Sequence, residues 1–286
     1  MRALVLVLPV LLLAPLAAQD HPLPDLVGFA DQVKAHLVSD EERQNDYMFI
    51  ERRTAQKVDG AGRSRTESVD VFEVYPGLPG EGRYRRLIEE HGKPVPPETL
   101  ARRDRDRRKA VESYARKVSM DAERQKEARQ REKDRERQRA VVDDLFRIYD
   151  IRLVRREALE GHETIVATLT PKDRAKPRTD EAKFLRHFKA RVWVSESEYE
   201  PVRVELEAID DLGVGWGLLA RVHKGTVATY QRRKVNNEVW LPERATWTAS
   251  ARVLLLKRLR LRGVAEFSGY RKFIVDTSTT PASLQP

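Results

Sequence analysis

Residues 98–149 contain neither glycine nor proline, and this uninterrupted stretch limits the possible folds more than any other feature. It is rich in Arg, Glu, Lys, Gln and Ala, all good helix formers. Pro96 and Pro97 stand where a helix start tolerates proline, and Glu98 suits the positive end of the dipole. Apolar side chains appear at Val111, Tyr114 and Val118 and then stop. Between Asp121 and Arg139 only Ala122 and Ala128 are apolar. Apolar spacing resumes at Val141, Val142, Leu145, Phe146, Ile148 and Tyr149. Both ends can dock on a core, and the middle has nothing to bury. One continuous helix over 97–149 would be about 75 Å long, so it must protrude, bend or lie across the body. Ser119 followed by Asp121 is a weak break.

The same stretch holds the charge. The chain has 54 Lys+Arg and 45 Asp+Glu, a net +9. Residues 102–139 carry 16 basic and 9 acidic side chains, 16 − 9 = +7, which leaves the rest nearly neutral. Pairs such as Glu127–Arg131 can support the helix in water. The charge reads either as a solvated helix face or as a surface for an acidic partner or anionic membrane, led by Arg102, Arg103, Arg105, Arg107 and Arg108. Nucleic acid is not expected, because Tyr114 is the one aromatic interleaved with the arginines. Heptad spacing for a coiled coil is missing.

Residues 1–18 have a charged Arg2, an apolar run from Ala3 to Leu16 and small residues before Gln19, the pattern of a cleaved secretory signal. The run is shorter than the ~20 residues of a spanning helix. The expectation is an exported, periplasmic protein. The sequence has no cysteine, so disulfides, thiolate chemistry, Cys-ligated metals and a lipid-anchoring lipobox are all excluded.

Around the basic segment the chain has the texture of strands. An amphipathic helix is expected from Asp25 to about Glu42, showing Leu26, Phe29, Val33 and Leu37 on one side. Tyr47 to Val58 and Ser64 to Tyr75 flank the Asp59-Gly60-Ala61-Gly62 turn, and Arg83 to Glu89 follows. Ile151 to Leu159 and Glu163 to Thr170 form a second hairpin, then a short helix spans Glu181 to Phe188. In Arg191 to Glu196 and Pro201 to Ala208, Val192 and Val194 share one face, Val202, Val204 and Leu206 share another, and Arg203, Glu205 and Glu207 point to the opposite side, as in a sheet with one wet face. Further strands are expected at Leu218 to His223, Thr226 to Arg233, Ala245 to Leu254 and Lys257 to Phe267. Arg258, Arg260 and Arg262 share one face of the last. The fold class is therefore mainly β (α+β), an antiparallel sheet of 10–11 strands. One domain spans 19–276, interrupted by the helix at 97–149, with a disordered tail at 277–286.

Catalytic signatures are absent: there is no G-x-S-x-G, P-loop, H-E-x-x-H, G-x-G-x-x-G or EF-hand spacing. The histidines at 21, 36, 91, 162, 187 and 223 lie singly. Glu89-Glu90-His91 and Asp210-Asp211 read as charged turns, and Asp143-Asp144 point in adjacent directions on a helix. No cofactor, metal or catalytic residue is expected. A hydrolase would need a cleft joining His91, His162 or His223 to a carboxylate.

Residues 190–205, ARVWVSESEYEPVRVE, look like the "v-W-I-D … P-v-r-v-e" hairpin of the LolA/LolB/RseB-like periplasmic lipoprotein-carrier proteins. Val239-Trp240-Leu241-Pro242 resembles their "g-x-W-L-P" step. Residues 47–92, with the D-G-x-G turn and R-R-L-I-E-E-H-G-K-P, are similar to the front half of uncharacterised relatives. The resemblance implies an unclosed half β-barrel with covering helices, and acyl chains or lipoprotein held between sheet and helices. Phe49, Phe72, Trp193, Trp240 and Trp247 are then the candidate groove aromatics, although Trp193 alternates with Arg191 and so falls on the wet face. The alternative is an envelope adaptor acting through the basic helix, which is much larger than the carriers' usual insert.

Overall fold

The computed structural model describes residues 21–78, 82–118, 121–214, 220–253 and 257–272. The segments expected to be a signal and a disordered tail, and Phe273, lie outside them.

Helix α1 (Leu26–Asn45) leads into strands β1 (Tyr47–Val58), β2 (Ser64–Tyr75), β3 (Tyr84–Glu90) and the short β4 (Lys93–Pro94). Helices α2 (Pro97–Val118) and α3 (Asp121–Ile148) follow, then β5 (Tyr149–Leu159), β6 (His162–Pro171) and α4 (Asp180–Leu185). The chain ends in β7 (Phe188–Ser195), β8 (Pro201–Ala208), β9 (Leu212–Val214), β10 (Ala220–Val222), β11 (Val227–Val235), β12 (Val239–Val253) and β13 (Lys257–Lys272). All pairings are antiparallel, in the order β4-β3-β2-β1-β13-β12-β11-β8-β7-β6-β5; off this path β10 pairs with β12 and β9 with β10. This is the open half-barrel class expected from sequence.

The helix expected at Glu181 to Phe188 is Asp180–Leu185, because Phe188 begins a strand by pairing with Ala208, and the last strand runs on to Lys272 along β1. Three further boundaries differ from the sequence expectation, each for a local reason. The basic segment is two helical elements, and Tyr149 begins β5 because its edge pairs with Pro171. Leu212–Val214 pairs with Ala220–Val222 where a turn was expected, since two three-residue strands leave no periodicity to read. Strand β12 starts at Val239 and runs through Pro242, which sits where the β11–β12 register shifts. Proline is tolerated there because the ladder is already interrupted.

Sheet order gives α2 and α3 their role. β4 and β5 are the two ends of the strand path, and the chain between them is α2 and α3, so the helices connect one sheet edge to the other. The near end is fixed on β3: Arg86 donates from Nε to Asp104 Oδ1 (2.7 Å) and from NH1 to Glu73 (2.8 Å). The hydrogen bond from Arg86 holds the Asp104 carboxyl below its ordinary range, against the opposing effect of burial. At the far end Lys34 pairs with Asp143 (2.5 Å) and Arg137 with Glu181 (2.9 Å). The side chains of residues 128–137 are exposed, as their composition requires.

Helix α1 begins where Asp25 Oδ2 accepts the Gly28 N–H at 2.8 Å, an N-cap contact. Its Phe29 and Val33 then pack on Ile165 and Val194, with Phe146 of α3, Leu153 and Val192 around them. Each such buried side chain contributes about 1.5–3 kcal/mol. A buried ion pair lies nearby: Arg232 NH1 meets Glu200 Oε2 at 2.9 Å and also donates to the Pro201 carbonyl, while NH2 donates to the Trp240 carbonyl.

Asp144 ties α3 to the loop before α4. Its Oδ2 accepts the N–H groups of Arg178 (2.7 Å) and Thr179 (2.8 Å) and the Thr179 hydroxyl (3.0 Å), and Arg147 bonds Oδ1. Burial pushes the carboxyl up, but the Thr179 N–H, Arg147, the Arg178 N–H and the Thr179 hydroxyl outweigh it and hold it at about 2. A depressed carboxyl stabilises the fold above its unfolded pKa of about 4, and that gain is lost as pH falls toward about 2. Asp144→Asn should cost roughly 2–4 kcal/mol at neutral pH, and the gap to wild type in urea melts should close as pH falls through that window. A pH-independent gap would contradict the assignment.

Candidate functional site

Strand register sets side chains in rungs across the face that α1 packs on. Val192 of the α1 cluster pairs with Val204, and that rung continues through Tyr230, Ala245, Ala265 and Arg53. The neighbouring rung holds Leu206, Ala228, Trp247, Gly263 and Ala55. On the other side Glu51 pairs with both Phe267 and Phe72. Alanines and a glycine thus make a low floor, and aromatics stand along it. Phe49 joins the row through Phe267 (5.8 Å between centroids) and Tyr270 (5.3 Å).

Cover differs along this face. Under α1 the space is taken by Phe29 and Val33, both buried. Farther along, Trp247 is 42% exposed and Tyr230 36% exposed, so the track emerges into solvent. Gly263 is the residue that lets Trp247 lie down. A Cβ there would fall 2.2 Å from Trp247 Cε2, so the indole ring rests on the glycine backbone, an arrangement known for aromatic–glycine pairs across strands.

The track has a charged end. Glu51 is buried, with Oε1 2.7 Å from Arg53 Nε and Oε2 3.0 Å from Arg85 Nε. The Arg53 guanidinium also lies 5.1 Å from the Phe72 centroid, and that of Arg83 lies 5.1 Å from the Phe49 centroid. Two guanidiniums against one carboxylate leave a net positive charge beside the aromatics.

Of the five aromatics proposed from sequence, Phe49, Phe72 and Trp247 share this face. Trp193 is on the opposite face, buried between Arg191 (5.9 Å) and Arg203 (5.2 Å), as its alternation with Arg191 implies. Trp240 is buried against His162 (4.7 Å) and donates from Nε1 to Glu198 at 2.9 Å. The five are therefore not one constellation. Tyr230, Gly263, Glu51 and Arg85 were missed. The small residues opposite Trp247 were visible in sequence, but which of them face it depends on register.

The basic residues of α2 divide likewise. Arg107 lies over the Tyr84 ring (4.6 Å) and Arg103 reaches the Leu87 carbonyl (3.4 Å), so both serve the fold. Arg102, Arg105 and Arg108 are exposed.

Two histidines meet carboxylates: His187 with Asp210 (2.9 Å) and His223 with Asp211 (3.1 Å). No hydroxyl hydrogen-bonds either ring among the described residues. Nor do the described residues contain a group of three or more His, Asp or Glu placed to hold a metal ion. No described helix is long and apolar enough to cross a membrane.

No family model matches the chain, and no curated protein sequence does. Solved structures similar to it include an outer membrane lipoprotein-sorting protein domain from Vibrio parahaemolyticus, at 11% identity and TM-score 0.35, covering 89% of this chain and 94% of that one. A DUF1329 family protein from Desulfovibrio piger matches at 8% identity and TM-score 0.32, covering 91% and 96%. A LolA superfamily protein from Nitrosomonas europaea matches at 10% identity and TM-score 0.29, covering 86% and 92%. At such scores these structures assign no ligand to this chain.

The Trp247–Gly263 contact can be tested by a double-mutant cycle. Gly263→Ala should cost roughly 1–3 kcal/mol and raise acrylamide quenching of tryptophan fluorescence. In a Trp247→Ala background the same substitution should cost almost nothing. Equal costs in both backgrounds would show that the ring does not rest there.

Proposed function

We propose that this chain is an exported, non-catalytic binding protein that holds an acyl chain along the track from Phe49 and Phe72 to Trp247. The observation that supports it is the floor of Ala228, Ala245, Gly263 and Ala265 between half-exposed Tyr230 and Trp247. A methylene chain needs a narrow apolar channel with low walls and no polar demands, and gains about 0.8 kcal/mol for each buried CH₂. The guanidiniums of Arg53 and Arg85 offer a counter-charge for an acid or headgroup at one end. Catalysis is not needed for this role, and the periplasm suits both the sequence signal and the absence of cysteine. Purified protein should release lipid on solvent extraction or bind a fluorescent fatty-acyl probe. The pair Tyr230→Ala/Trp247→Ala should weaken probe binding about tenfold, a loss of about 1.4 kcal/mol, while Trp193→Ala leaves it unchanged. Lipid-free protein that ignores the probe would end this reading.

A second role, engagement of an acidic envelope partner or anionic surface by the basic helices, is supported by Arg102, Arg105 and Arg108. All three are exposed, on a helix whose inner face is already committed to β3. Charge reversal of the three should remove partner capture without changing the thermal midpoint. Capture that survives the reversal would exclude them.

A further inference from the structure

The track is one face of β11, β12 and β13; the other face of the same strands holds a separate pocket. Strand alternation turns Thr246, Thr248, Arg260 and Arg262 away from Trp247 and Gly263, and register places Thr248 opposite Arg262. Val58 of β1 stands opposite Arg260. These residues line an open pocket of about 520 Å³. The β1–β2 turn bounds it through Gly62 and Ser64, and the turn before β11 bounds it through His223 and Lys224. That second turn is held by the Gly225 N–H on the Ala208 carbonyl (2.8 Å) and the Thr226 N–H on the His223 carbonyl (2.9 Å). Gly225 has φ +80°, a left-handed conformation that suits glycine and brings Lys224 to the rim.

The lining has one sign of charge. It contains Lys224, Arg260, Arg262 and His223, the hydroxyls of Ser64, Thr226, Thr246 and Thr248, and no Asp or Glu. The nearest carboxylate in the hydrogen-bond pattern is Asp211, which is already engaged by the His223 ring at 3.1 Å and the Lys224 N–H at 3.0 Å. Other exposed arginines of the strands and their turns have carboxylate partners: Arg63 with Asp59, Arg155 with Glu157 and Arg244 with Glu266. Among the described residues Arg260 and Arg262 have no ion-pair partner. Two guanidiniums, an ammonium and hydroxyl donors around one concavity suit a tetrahedral oxyanion, since guanidinium matches phosphate oxygens with paired N–H groups.

We propose that this pocket binds a phosphate group, held by Arg260, Arg262 and Lys224, with the Ser64 and Thr226 hydroxyls as further donors; the Thr246 hydroxyl is engaged by Thr229 and that of Thr248 by the Val227 carbonyl. Trp247 and Val227 also border the pocket, but Arg260 and Arg262 stand on the face opposite the acyl track, so their substitution tests the phosphate site without touching that role. A phosphate can come from a phospholipid headgroup at a membrane surface or from a soluble phosphorylated compound.

The test uses the purified full chain, inorganic phosphate by isothermal titration at low ionic strength, and flotation with vesicles. Wild type should bind phosphate at a single site. Arg260→Gln/Arg262→Gln should lower that affinity about tenfold or more, equivalent to about 1.4 kcal/mol. Arg191→Gln on the same sheet should not change it, and circular dichroism melts report whether each variant is folded. Flotation with phosphatidylglycerol vesicles but not phosphatidylcholine vesicles, lost in the double variant, assigns the phosphate to an anionic lipid surface. Phosphate binding without flotation assigns it to a soluble compound. No phosphate binding by wild type, or equal binding by wild type and the folded double variant, overturns the proposal.

Discussion

The packing of α1 on β6 and β7 is the contact on which the rest of the molecule depends. An open antiparallel sheet with one apolar face is unstable in water until something covers that face, and Phe29 and Val33 do so over Ile165 and Val194. Phe146 of α3 enters the same cluster, so covering the sheet also fixes the far end of the long basic segment. The Arg232–Glu200 pair is buried nearby, and each charge tolerates burial only because the other is present. With α1 displaced, the sheet would lose this core cluster and the basic segment one of its anchors.

This cover is partial, and its limit creates the candidate site. α1 is twenty residues long, while the strand path it meets runs across eleven strands. The face continues past the helix into the rungs of alanine, glycine and aromatic side chains around Trp247. The helical connection from β4 to β5 joins the two sheet edges without supplying apolar cover in its middle, because its central residues are almost all charged. The long charged segment therefore spans from one edge strand of the open sheet to the other.

Much of the fold was legible in sequence. Strands β1, β2 and β8 have the boundaries that alternation and turn residues imply, and the Asn236-Asn237 turn has positive φ at both positions, as a tight hairpin requires. The charged segment was readable as helix from composition alone. The site was legible only in part. Trp193 was on the wet face by alternation, but Trp240 and Trp247 look alike in sequence. One is buried by His162 and Glu198, the other lies half exposed on Gly263. Arg103 and Arg107 are indistinguishable in sequence from Arg102, Arg105 and Arg108 until β3 is seen beneath them.

By itself the sequence determined periodicity and charge: which residues form strands, where helix must be solvated, and that any exported form folds without disulfides. Those are local or compositional properties, set by backbone preference and by what each side chain can bury. The tertiary structure alone decided which strands neighbour one another, and therefore which side chains share a rung. Ala245 and Ala265, or Arg262 and Thr248, are joined by register between strands, and register is a property of the whole sheet. The apolar track and the basic pocket are two faces of that one register, which is why neither could be read from the chain.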